Sequence, residues 1–166
     1  PGRANNGNFA LAEFRATAAP RSDPGAAVSI SFRSAKADFS QQSHGGWPVE
    51  AAIDGNRKTA WSIDPQEDSP HVAVFEAEKP LGSPKGTTLV FNLDQGYADQ
   101  PADHTLGRFR LAVTTARTPV PLPKGYGKVP TVVHGRVPAS SAGGTLVVYG
   151  WYFLGHGRRA PFAAAE

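Results

Sequence analysis

Val28-Ser29-Ile30-Ser31-Phe32-Arg33 alternates apolar and polar side chains one for one. That is the period of an extended chain, whose successive side chains point to opposite faces. Arg108-Phe109-Arg110-Leu111-Ala112-Val113 repeats the pattern, with Phe109, Leu111 and Val113 predicted on one face and Arg108, Arg110 and Ala112 on the other. Working outward, residues 9–15, 72–76, 88–93, 131–137 and 145–153 also read as strands, the last rich in β-branched and aromatic residues. Gly 18 and Pro 15 break the chain between these runs, and no stretch carries a capped helical stripe; residues 35–42 form at most a short helical turn. About seven strands in one chain imply two packed sheets, so the expected fold class is all-β, an antiparallel β-sandwich.

At 166 residues the chain falls in the range of one domain and can bury a core without covalent staples. Hydrophobic residues make up 40% and charged residues 19%, which excludes a disordered tail and a membrane protein. No run approaches the roughly 18 apolar residues of a membrane span. With no cysteine there is no disulfide framework and no thiolate nucleophile. Net charge is +3, and no basic run is longer than Arg158-Arg159, so a nucleic-acid footprint is not supported. A start at Pro1 leads us to expect a removed leader or an excised piece. Pro119, Pro121, Pro123 and Pro130 make residues 118–130 a stiff connector. Because residues 131–166 are too few to bury a core alone, the connector reads as an excursion within a single domain, 1–159, followed by a disordered tail or cloning scar at 160–166.

The most informative string is Ala52-Ile53-Asp54-Gly55-Asn56-Arg57-Lys58-Thr59-Ala60-Trp61, a turn dipeptide bracketed by an apolar residue and a large aromatic. It has two readings. It is a plain Asp-Gly turn, or a loop whose Asp54 carboxylate, Thr59 hydroxyl and backbone carbonyls converge on a hard cation.

An Ile-Asp-Gly-Asn turn followed by Thr-x-Trp resembles the signature of the discoidin, or coagulation-factor type C, family within the galactose-binding-like jelly rolls. The segments Asn8 to Glu13, Ala37 to Gln41, His71 to Phe75 and His104 to Leu111 look like the discoidin-like module attached to planctomycete-type cytochrome c proteins of unknown function. The resemblance spans about Asn8 to Thr115 and departs from the family after Thr115. It implies a jelly-roll topology, sugar or phospholipid-headgroup binding, and a structural calcium held by Glu13, Asp54, Asn56 and Thr59. It also implies that Trp61 is a core residue.

Sugars are bound by aromatic faces beside planar polar groups. Two loops have that composition. Residues 40–48 hold Gln41, Gln42, His44 and Trp47 around Gly45-Gly46, and residues 94–104 hold Tyr97, Asp99, Asp103 and His104 ahead of Arg108. The candidate carbohydrate-binding residues are therefore His44, Trp47, Tyr97, His104 and Arg108. Four of the five have a structural alternative: Trp47 plugs one end of the sandwich, His104 bonds a turn carbonyl, Tyr97 covers a loop, and Arg108 with Arg110 forms a solvated stripe.

Nothing resembles Gly-x-Ser-x-Gly, and His44, His71, His104, His134 and His156 never fall at HxH or HExxH spacing. Asp64, Glu67 and Asp68 lie in a loop with Pro65 and Pro70 and read as a solvated turn. The expectation is a non-enzymatic carbohydrate-binding module, a monomer within a larger multidomain protein, recognising a glycan outside the cytoplasm (periplasmic, cell-surface or secreted). The alternative is a structural or protein-interaction domain of a large redox protein. Membrane-headgroup binding needs more exposed apolar spikes than Trp47 and Tyr97 supply.

Overall fold

The computed structural model describes residues 2–97, 103–114 and 119–122, and the backbone of 147–149. The expected strand at 131–137, Asp99, His134, Trp151, His156, most of the connector and the tail lie outside these residues. Among the described residues, regular structure is almost all strand: β1 (Glu13–Pro20), β2 (Val28–Ser29), β3 (Phe32–Ala37), β4 (Ala73–Ala77), β5 (Thr87–Asp94) and β6 (Val147–Tyr149). Two short 3₁₀ helices, Pro24–Ala26 and Val49–Ile53, complete it, and no helix among the described residues is long and apolar enough to cross a membrane.

The strands form two three-stranded antiparallel sheets, ordered β2-β1-β5 and β3-β4-β6. In the first, small residues of β1 oppose large ones of β5: Ala16 pairs with Phe91 and Ala18 with Leu89. This complementarity lets one face fill without voids. Phe14 stacks on Phe75 of the second sheet, with ring centroids 4.4 Å apart, so side chains of both sheets share one apolar cluster. Burying an aromatic of this size contributes about 1.5–3 kcal/mol.

β4 is buried on both faces. Ala73, Phe75 and Ala77 face the shared cluster, whereas Val74 meets Val72, Ala112 and Val120 on the other side. Glu76 also lies on that outer side, 3% exposed. Its carboxylate accepts the Val120 amide at 2.7 Å and the Arg33 guanidinium at 2.9 and 3.2 Å.

Three expectations from the sequence are corrected. Val28, Ile30 and Phe32 do not share one strand face. The chain leaves β2 for β3 between them, Val28 is 60% exposed and Ile30 is buried. Residues 108–113 form no strand, and neither predicted face holds together: Ala112 is buried while Arg108 and Arg110 are exposed, and Leu111 packs on the core while Phe109 and Val113 are 44% and 41% exposed. The small alanine is what fits against Val72 and Val74. Residues 35–42 make no helical turn, because β3 runs through Ala37 and Gln41 bridges Trp47.

Candidate functional site

The site begins with a loop stiffened from below. Gln41, 4% exposed, accepts the Asn8 amide at 3.1 Å and the Asp64 backbone N–H at 3.3 Å, and donates to the Ser43 hydroxyl at 3.1 Å. A buried polar network with every member bonded holds one geometry. Above it, the Trp47 backbone N–H donates to the Gln41 carbonyl at 2.8 Å and closes the loop. Closure requires three successive positive φ values, 54° at His44, 91° at Gly45 and 86° at Gly46. The glycines take these freely; His44 holds a left-handed conformation at a cost of about 1 kcal/mol.

Pro48 then leads into the Val49–Ile53 helix and the Asp54 turn. Asp54 Oδ1 accepts the Asn56 N–H at 2.7 Å, and Gly55 takes the positive φ of 80° that the turn demands. Thr59 Oγ1 lies 2.7 Å from both Asp54 Oδ2 and the Asn56 carbonyl. One hydroxyl proton serves only one of those acceptors at a time, so three oxygens converge with a single hydrogen among them. Trp61 closes the turn in the core: it is 3% exposed, its indole N–H donates to the Phe39 carbonyl at 3.1 Å, and its ring meets Phe9 edge-on.

Glu13, first residue of β1, lies against this turn. It is 2% exposed, and its Oε1 has no hydrogen-bond partner among the described residues. Burial raises its pKa; the Arg15 guanidinium opposes the rise, the Asp54 charge adds to it and the Gly55 N–H lowers it. An orphaned buried carboxylate oxygen beside converging hydroxyl, carboxylate and carbonyl oxygens fits a hard cation with oxygen ligands. Among the described residues no three His, Asp or Glu side chains converge. Such an ion would therefore depend on the Asn56 carbonyl and the Thr59 hydroxyl as well as on Glu13 and Asp54.

The two loops meet in a cleft of about 350 Å³. Trp47, Tyr97, His44, Glu50, Lys58 and Thr59 are among its walls, and Asp54 borders it too. The Trp47 and Tyr97 rings stand edge to face, 4.8 Å apart at 63°, and the half-buried Trp47 keeps its indole N–H without a partner among the described residues. Of the five candidate carbohydrate-binding residues, His44, Trp47 and Tyr97 come together here. His104 and Arg108 are not among the cleft residues: His104 sits 3.1 Å from the Asp103 carboxylate, and its carbonyl accepts the Ala10 N–H. Sequence reasoning missed Glu50 and Lys58, although Lys58 stands inside the string that drew attention. No protein-family model, curated protein or solved structure matches the chain.

Proposed function

We propose that the chain is a non-catalytic carbohydrate-binding module of jelly-roll sandwich topology, taking a glycan in the cleft between residues 40–48 and the Asp54 turn. The observation that carries this reading is the pairing of Trp47 and Tyr97 with His44, Glu50 and Lys58 around about 350 Å³. That volume lies at the small end of ligand sites and suits a sugar ring held by an aromatic face and a few polar groups. A structural calcium on Glu13, Asp54, Asn56 and Thr59 belongs to the same reading. It supplies positive charge to the oxygens that otherwise crowd one another, and so rigidifies one cleft wall.

Titration with galactose-, fucose- and uronate-containing polysaccharides tests it. Binding of at least one is expected, and Trp47→Ala weakens it at least tenfold, about 1.4 kcal/mol. His104→Ala leaves it in place. No binding by the intact chain removes the reading. It then favours the second one, a protein-contact domain of a larger chain, for which the exposed Phe109 and Val113 are the supporting observation.

A further inference from the structure

The two walls of the cleft come from distant parts of the chain, and one ion pair ties them together. Arg57 sits in the Asp54 turn, between residues that line the cleft. Asp94 ends β5, three residues before Tyr97. Arg57 Nε lies 2.7 Å from Asp94 Oδ2 and its Nη2 lies 3.2 Å from Asp94 Oδ1, the two-pronged geometry that fixes orientation as well as distance. Asp94 Oδ1 also accepts the Gly96 N–H at 3.0 Å, which bends the chain towards Tyr97. The fit is close: a Cβ at Gly96 would come within 2.8 Å of Arg57 Nη2. Arg15 adds a weaker contact to Asp94, at 4.0 Å from the β1 side.

We propose that Arg57 and Asp94 are positioning residues, a clasp that sets the spacing between the turn wall and the Tyr97 wall and so sets the cleft's affinity; the affinity part rests on the carbohydrate reading. The Arg57 side chain is 60% exposed, so the pair adds little to global stability. Its effect is on local geometry, where small displacements of a binding group are costly. Gly96→Ala isolates that effect, because it displaces a flexible guanidinium without changing any charge.

The test reads the indole N–H resonance of Trp47, assigned with Trp47→Phe, alongside polysaccharide titration. Arg57→Gln and Gly96→Ala are each expected to move that resonance towards its position in Tyr97→Ala and to weaken binding about fivefold. Arg33→Gln, which breaks the ion pair to Glu76 on the other sheet, changes neither. An unmoved Trp47 resonance in both clasp variants overturns the proposal, as does unchanged affinity in a protein that binds. If the resonance moves but the intact chain binds no polysaccharide, the clasp stands and the carbohydrate reading alone falls.

Discussion

His71 is 1% exposed, and both of its ring nitrogens face acceptors: Nδ1 lies 3.3 Å from Asp38 Oδ1 and Nε2 lies 2.8 Å from the Gln66 carbonyl. A neutral imidazole has one N–H and serves only one of them, so this pocket favours the doubly protonated ring. Burial opposes the charge, but the Asp38 and Gln66 bonds outweigh it and the His71 pKa is raised. A raised folded-state value contributes stability that is fully present below the unfolded value of 6.5 and is lost as pH rises through the folded one. His71→Gln should therefore destabilise more at about pH 5.5 than at about pH 8.5 in urea unfolding. Equal costs at the two pH values would rule out a charged His71. None of this was legible beforehand, since the partner Asp38 is 33 residues away. The Asp54 turn was legible because its contacts are local: Asp54, Asn56 and Thr59 meet within six residues of sequence.

β4 depends on groups outside its own sheet as well as within it. Burial pushes the Glu76 pKa up, but the Val120 amide and Arg33 pull harder and the net shift is downward. Stability from this carboxylate is present above its unfolded value and is lost as pH falls through the depressed folded one. Glu76→Ala leaves the Val120 amide without its acceptor on the outer side of β4, and is expected to cost about 2–3 kcal/mol at neutral pH. Urea unfolding measures the cost, and faster hydrogen exchange at Val120 marks the detachment of residues 119–122. An unchanged exchange rate would mean that apolar contacts alone hold that segment.

β4 and β5 were readable from their alternation and β-branched content, to within a residue at most ends. β1 was misplaced, expected at 9–15 and found at Glu13–Pro20, because Ala16, Ala18 and Ala19 carry little strand signal of their own. Ala16 and Ala18 are inside beside the large Phe91 and Leu89 that pair with them, and Ala19 pairs with Thr88. Residues 108–113 failed for the complementary reason. Alternation assumes an extended strand, but this segment is not one: Ala112 packs against Val72 and Val74 while its neighbour Leu111 packs on the inner cluster.

At the scale of the whole molecule, the calcium assignment makes a thermodynamic claim. An ion that binds the folded chain alone raises the melting temperature, by the equivalent of about 2.7 kcal/mol at a hundredfold excess over its Kd. Calcium is expected to raise the melting temperature, EDTA to reverse the rise, and Glu13→Gln to abolish it. A melting temperature indifferent to both additions would sink the assignment. The cleft is the part of the molecule least visible in the sequence, because its walls are 50 residues apart at Trp47 and Tyr97 and meet only when both sheets are formed.

The double burial of β4 also dictates an order of events during synthesis. Its partner strand β3 and most of the inner cluster are available once residue 94 has been made, but Leu106 of that cluster follows, the Val120 cover comes later still and the β6 ladder begins only at Val147. Until those arrive, a growing polypeptide presents Val74 to the surrounding water, and Glu76 has its Arg33 partner but not the Val120 amide. Maturation of this sheet thus waits on segments that leave the ribosome well after β4 itself.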